Sequence, residues 1–141
     1  VNMVMLLFVG REVERALGSA LYVTAYLISI VGSSAAVLWM DFGTPTVGAS
    51  GALFALMGLL IGVYRSRGLD LRAPIVLVVA NVIYSFVAEN VSVWGHLGGL
   101  LTGLLLAPFL FRQRTWLRWL GIWLIAVLVA VLAALRAGLW G

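Results

Sequence analysis

Six apolar stretches, separated by glycine, proline or charged residues, dominate the pattern along the chain. Most are long enough to span a membrane as helices, which takes roughly 20 residues. Because a helix satisfies its own backbone hydrogen bonds in lipid, the pattern predicts an all-α, polytopic transmembrane helix bundle of about six spans. The first stretch either ends at Gly10 or continues as helix to a break at Gly18. The others are expected at about residues 20–40, 47–64, 74–88, 94–111 and 117–135.

Composition supports the bilayer as the solvent of this chain. Of its 141 residues, 64% are hydrophobic and 10% are charged, and the mean hydropathy is +1.15. A soluble domain carries about 25% charged residues. We therefore expect residues 1–141 to form a single membrane domain with the lipid bilayer as a partner. The absence of cysteine excludes disulfides, thiolate metal sites and a cysteine nucleophile, and nothing in the sequence calls for a metal or another cofactor.

The basic residues indicate an orientation in the membrane. All nine are arginines, and eight of them fall in alternate connections between the spans, namely Arg11, Arg15, Arg65, Arg67, Arg72, Arg112, Arg114 and Arg118. Such a bias is typical of cytoplasmic loops. The first span is therefore predicted to run from the outside inwards. We interpret the net charge of +4 as an orientation signal, with no nucleic-acid partner.

The third stretch opens with Gly48-Ala49-Ser50-Gly51-Ala52, which offers a candidate nucleophile. From Ala49 to Tyr64 a helix would measure about 24 Å, less than the roughly 30 Å of the hydrocarbon core. If Tyr64 marks the cytoplasmic boundary, Ser50 lies below the outer surface, at a helix start that is buried in protein or reached by water. Free N–H groups and the positive helix dipole at this position suit a developing oxyanion. Alone, such a small-residue string is more simply explained by helix packing.

The fifth stretch opens with Gly95-His96-Leu97-Gly98-Gly99 and carries the only histidine of the chain. An ionisable residue within a span is a functional candidate, either as a base or in a proton path. A neutral imidazole could accept the proton of the serine hydroxyl. Both residues lie at the outer ends of their helices, and no aspartate or glutamate is well placed as a third member. The sequence therefore predicts a dyad of Ser50 and His96.

Small residues on the two helices explain how the dyad could meet. One face carries glycine at every fourth position and the other is similarly small, namely Gly95, Gly99 and Gly103 against Gly51, Ala55, Gly58 and Gly62. Such faces allow close approach of helix backbones. Four further polar residues are interpreted as interhelical hydrogen-bonding groups, namely Asn81, Ser33, Ser34 and Thr102. Without reference to any family, Asn2 is more simply interpreted as an exposed polar residue near the chain start, although its side-chain amide could donate a hydrogen bond to an oxyanion.

Taken in order, four short motifs resemble the signatures of bacterial rhomboid intramembrane serine proteases. They are Asn2-Met3, Gly10-x-x-Val13-Glu14-x-x-Leu17-Gly18, Gly48-Ala49-Ser50-Gly51-Ala52 and Gly95-His96-Leu97-Gly98-Gly99-x-x-x-Gly103. The resemblance implies that Ser50 attacks a peptide bond in or near a transmembrane segment of a membrane-protein substrate, with His96 as base. It implies an oxyanion site at Asn2 and the backbone of Ala49 and Ser50. It also implies that Phe54 packs under the histidine, and that Gly48, Gly51, Gly95, Gly99 and Gly103 have packing roles.

The resemblance also predicts what the chain lacks and where it resides. The six spans resemble core helices two to six of the family plus an additional C-terminal helix, so the first core helix, the loop after it and a histidine three residues before Asn2 are missing. The chain thus resembles an N-terminally truncated member. The resemblance implies a multi-pass protein of the bacterial inner or plasma membrane, and the arginine bias predicts that its active site lies toward the outer face.

Two other functions are compatible with parts of the pattern. A catalytically inactive relative could bind or escort other membrane proteins, but such relatives typically lose the serine or the histidine, and this chain has both Ser50 and His96. A small channel or transporter would use His96 as a relay, yet few polar residues occupy the inner halves of the spans.

Overall fold

A computed structural model describes residues 2–41, 50–89 and 91–140 of the chain. Within these ranges every regular element is helical, which confirms the all-α bundle. We number six helices: α1 (residues 2–17), α2 (Ser19–Met40), α3 (Ser50–Ser66), α4 (Arg72–Val87), α5 (Val93–Leu110) and α6 (Thr115–Trp140). The bounds follow the predicted stretches to within three residues, except that α6 continues five residues beyond Leu135.

The first helix continues past Gly10, so the longer of the two predicted alternatives is correct. Its α-helical ends, Asn2–Met5 and Arg11–Leu17, are joined by a π-helical turn over Leu6–Gly10. The helix ends at Gly18, whose φ of 85° is a conformation that residues with a side chain rarely adopt. The predicted break at this glycine is therefore confirmed.

The start of α5 is fixed by a side-chain cap. Ser92 precedes the helix with extended backbone, and its Oγ accepts a hydrogen bond from the Gly95 N–H at 3.0 Å. This bond satisfies one of the donors that a helix start leaves without an intrahelical partner. As a result α5 begins at Val93, which places His96 within the first turn, at the end of the bundle where α3 also begins.

Helix α3 lies at the centre of the bundle. Every residue from Gly51 to Leu60 is buried, and α3 packs against α1, α2, α4 and α5. Helices α2 and α5 in turn pack against α6. By contrast, α4 lies at the periphery, where Pro74 and Ser85 are its only buried residues. The side chains of the core are almost all aliphatic, with Leu56, Met57, Leu59, Leu106 and Leu110 among the most completely buried.

Among the described residues, three helices are long and apolar enough to cross a membrane, namely Ser19–Met40, Val93–Leu110 and Thr115–Gly138. Ser50–Ser66 and Arg72–Val87 are apolar but shorter. The prediction that most of the six stretches are long enough to span therefore holds for only three of the described helices. Helix α3 can be shorter than the membrane is thick because protein surrounds it. Its ends can stop short of the lipid boundary without exposing polar backbone to hydrocarbon.

The two ends of the bundle differ in chemistry. At one end, which we call the Ser50 end, lie the first residues of α3 and α5 and the last residues of α2, α4 and α6. The other end carries most of the arginines, and there Arg67 lies 3.6 Å from the carboxylate of Glu12. At the Ser50 end, Trp39 Nε1–H donates to the Leu132 carbonyl oxygen at 2.8 Å and joins α2 to α6.

Candidate active site

Ser50 and His96 meet at the Ser50 end of the bundle. Ser50 is the first described residue of α3, and His96 lies in the first turn of α5. Ser50 Oγ lies 2.9 Å from His96 Nε2, which is hydrogen-bonding distance. His96 is 7% exposed, while Ser50 is half-buried. A hydroxyl is thus held against a buried imidazole while remaining partly open, which is the geometry that a serine nucleophile and its base require.

One face of the imidazole is covered by an aromatic ring. Phe54 follows Ser50 by one helical turn, and its ring stacks on His96 with a centroid distance of 4.3 Å and an interplanar angle of 16°. Phe54 itself is 4% exposed. The stack limits rotation of the imidazole and leaves its ring edge, with both nitrogens, for hydrogen bonding.

The second imidazole nitrogen contacts Ser85, a residue that no motif in the sequence singles out. Ser85 Oγ, from α4, lies 2.6 Å from His96 Nδ1 and 2.9 Å from the carbonyl oxygen of Asn81. Ser85 is 2% exposed. The only hint in the sequence is that Ser85 and Asn81 are polar residues four apart on an otherwise apolar stretch, which puts them on one helix face.

Close packing of α3 against α5 explains why the dyad side chains can reach each other. A Cβ atom at Gly99 would overlap the Gly51 carbonyl oxygen, and one at Gly103 would overlap that of Ala55. The backbones are therefore in direct contact, as the small-residue faces predict. Farther from Ser50 and His96, a small residue no longer faces a small residue, because Gly62 packs against the larger side chain of Phe111.

Three of the predicted site residues cannot be placed. Gly48 and Ala49 lie outside the described residues. For Asn2, the first residue of α1, the structure describes the backbone and not the side chain. The oxyanion roles of Asn2 and Ala49 therefore stay predictions. Gly95 is placed: its carbonyl oxygen accepts a hydrogen bond from Ser33 of α2 at 2.8 Å, which ties the start of α5 to a third helix.

The prediction of interhelical hydrogen bonds holds for Ser33 and is wrong for three other residues. Asn81 Nδ2, Ser34 Oγ and Thr102 Oγ1 each donate to the carbonyl four residues earlier in their own helix. A short polar side chain in a helix readily makes this local bond, which competes with a partner on a neighbouring helix. Within residues 2–41, 50–89 and 91–140, no group of three or more His, Asp or Glu side chains is arranged to hold a metal ion.

Comparison with known proteins identifies the family of the chain. The family model of the Rhomboid domain matches residues 1–113, so the chain belongs to the rhomboid family. It is 36% identical over 115 residues to Rhomboid protease GluP of Bacillus subtilis (strain 168), an alignment that covers 77% of this chain and 22% of that protein.

Two relatives from a plant are also similar. RHOMBOID-like protein 1 of Arabidopsis thaliana is 31% identical over 121 residues, covering 80% of this chain and 31% of that protein. RHOMBOID-like protein 4 of the same plant is 34% identical over 112 residues, covering 74% of this chain and 28% of that protein. The chain thus spans less than a third of the length of each of these three relatives. No solved structure gives a significant match.

Family membership and the apolar helices together make this an integral, multi-pass membrane protein. Large apolar side chains on the bundle exterior, such as Phe86 and Trp123, are each about two-thirds exposed. In a bilayer these surfaces face lipid.

Proposed function

We propose that the protein is an intramembrane serine endopeptidase that cleaves peptide bonds in or near transmembrane segments of other membrane proteins. The observation that carries this proposal is the 2.9 Å contact between Ser50 Oγ and His96 Nε2 at the start of two packed helices. The names of relatives such as Rhomboid protease GluP support the same reaction class.

In the proposed mechanism, Ser50 Oγ attacks the scissile carbonyl carbon while His96 Nε2 accepts the hydroxyl proton. The carbonyl π bond opens, and the negative charge develops on its oxygen. His96 then donates the proton to the leaving amine as the C–N bond breaks, leaving an acyl ester on Ser50. A water molecule, deprotonated by His96, hydrolyses this ester and restores the dyad.

The oxyanion is proposed to lie beside the start of α3. The backbone N–H groups of Ser50 and Ala49 and the amide of Asn2 are the donors in this proposal. The first N–H groups of a helix have no intrahelical partner, and the helix dipole is positive there, so negative charge is stabilised. Donors of this kind act most strongly where water is scarce.

Charge supports an orientation in the membrane. Eight of the nine arginines fall at the end opposite Ser50, and the positive-inside bias would make that end cytoplasmic. We propose that the active site faces the outer side of the membrane. We also propose that residues 1–141 belong to one domain, because α3 and α5 share one core with the helices on either side of them.

A fluorophosphonate probe tests the proposal on the full-length protein. Such a probe bonds covalently to an activated serine oxygen, with loss of fluoride. The wild-type protein should be labelled, and Ser50→Ala should abolish labelling while the matched control Ser34→Ala preserves it. His96→Ala should reduce labelling strongly, because the hydroxyl then lacks its base. Absence of labelling in a folded wild-type protein would contradict the proposal and favour an inactive, binding member of the family.

A further inference from the structure

Ser85 has two polar partners, and together they restrict where the protons lie. Its Oγ is 2.9 Å from the Asn81 carbonyl oxygen and 2.6 Å from His96 Nδ1. A hydroxyl carries one proton, and a carbonyl oxygen can only accept. If the hydroxyl donates to Asn81, the contact to His96 is a hydrogen bond only when Nδ1 carries the proton.

This arrangement satisfies both contacts of His96 and the contact between Ser85 and Asn81. With the proton on Nδ1, His96 donates to Ser85, Ser85 donates to Asn81, and the bare Nε2 accepts from the Ser50 hydroxyl. In the other tautomer Nε2–H points at Ser50 and the Ser85 hydroxyl turns to Nδ1, so the contact to Asn81 is lost. The first tautomer therefore makes one more hydrogen bond, and it is also the one in which His96 can act as a base.

The location of Ser85 argues against a role in packing alone. Helix α4 is otherwise peripheral, and its only other buried residue, Pro74, lies in its first turn. A buried hydroxyl reaching from this helix to an imidazole contributes little apolar contact. Ser29 provides the contrast: it is fully buried in α2, and its Oγ donates to the Ala25 carbonyl of its own helix.

We propose that Ser85 is a positioning residue that holds His96 in the Nδ1-protonated tautomer, so that Nε2 is free to deprotonate Ser50. This inference rests on the proposed protease function. The same contact serves the protonated state, because Nδ1–H continues to donate to Ser85 when Nε2 gains the serine proton. No rearrangement is needed during the reaction, and a neutral hydroxyl here takes the orienting place that an aspartate has in other serine proteases.

Kinetics of the full-length protein give the first test. Ser85→Ala should lower kcat by about 10- to 100-fold, the effect of losing one hydrogen bond to a charged partner, with little change in KM. Ser85→Thr, which keeps a hydroxyl able to bond the carbonyl four residues earlier, should retain most of the activity. Ser29→Ala removes an equally buried hydroxyl that has no contact to the histidine, and should leave kcat unchanged.

Nitrogen-15 NMR of labelled histidine gives the second test, which does not depend on activity. His96 is identified as the signal absent from His96→Gln. At mildly alkaline pH, wild type should show a protonated Nδ1 and a bare Nε2, while Ser85→Ala should show a mixture of tautomers. A wild-type Nε2 that carries the proton would overturn the inference even if Ser85→Ala cannot be purified.

The two proposals can fail separately. If the wild-type protein cleaves its substrate and Ser85→Ala has the same kcat and the same tautomer, the positioning role is wrong and the protease function stands. If the wild-type protein does not cleave, the protease function fails, and the tautomer measurement still decides whether Ser85 orients His96.

Discussion

Replacing Gly99 with alanine should separate α3 from α5 at the level of the dyad. The new Cβ would overlap the Gly51 carbonyl oxygen, and would stand 2.6 Å from the carbonyl carbon and 3.2 Å from the Cα of the same residue. All three are backbone atoms of a buried helix and cannot rotate away. The two helices would have to move apart by on the order of 1 Å to restore van der Waals contact.

Two consequences of different size follow from this displacement. Overpacking of a core costs about 1–3 kcal/mol in the free energy of unfolding. Ser50 and His96 are carried by the two helices that separate, and a misplacement of about 1 Å between reacting groups can reduce the rate by roughly 100-fold. Gly99→Ala should therefore lose far more activity than the stability change alone explains.

Two matched glycine-to-alanine variants separate these effects. At Gly121 a Cβ would overlap Phe109 near the arginine-rich end, so this variant should be destabilised while its folded fraction cleaves at the normal rate. At Gly138 no atom that the structure describes on a neighbouring element lies within 4 Å of the new Cβ, and both properties should be unchanged. Unfolding by detergent titration and cleavage of a transmembrane substrate measure the two quantities. Wild-type stability and turnover in Gly99→Ala would refute the packing argument.

Three further predictions concern the stack, the orientation and the contact between α2 and α6. Phe54→Leu should lower kcat about 2- to 10-fold, the equivalent of losing an aromatic stack worth about 0.5–1.5 kcal/mol, whereas Phe54→Tyr should have a nearly normal kcat. Equal kcat values for the wild type and both variants would show that the stack on His96 does not contribute to the rate. In a cysteine-free full-length protein, Leu69→Cys should be protected from an impermeant thiol reagent in intact cells and Glu89→Cys should react, and the reverse pattern would invert the proposed orientation. Trp39→Phe should lower the free energy of unfolding by about 1 kcal/mol through loss of its hydrogen bond to Leu132, with unchanged cleavage, and an unchanged unfolding curve would show that this bond is not stabilising.

The order and type of the elements could be predicted because lipid leaves few alternatives. A long apolar stretch bounded by glycine or charge has to be helical in a bilayer, and Gly18 ends α1 because the backbone there adopts a positive φ. The approach of α3 to α5 was also predictable, because glycines at every fourth position define a helix face. What the pattern could not supply was the full length of α6: the charge of Arg136 ends the apolar stretch at Leu135, but the helix continues to Trp140, and Arg136 Nε donates to the Leu38 carbonyl oxygen of α2.

The partners of polar side chains could not be predicted from the sequence. Ser33, Ser34, Ser85 and Thr102 all carry a short hydroxyl side chain within an apolar stretch, yet Ser33 bonds another helix and Ser34 and Thr102 bond their own. The choice depends on the rotation of each helix about its axis and on the atoms opposite, which are tertiary properties. For the same reason Ser85 was not found: its partner His96 is 11 residues away, beyond the end of its helix.

The cleavage rate of a transmembrane substrate by the full-length protein in liposomes tests the central claim most directly. Ser50→Ala and His96→Ala should each abolish cleavage while both variants remain folded, and the double variant should be no worse than either, because a nucleophile and its base act as a unit. Cleavage that persists at the wild-type rate in Ser50→Ala would contradict the assignment of Ser50 as the nucleophile.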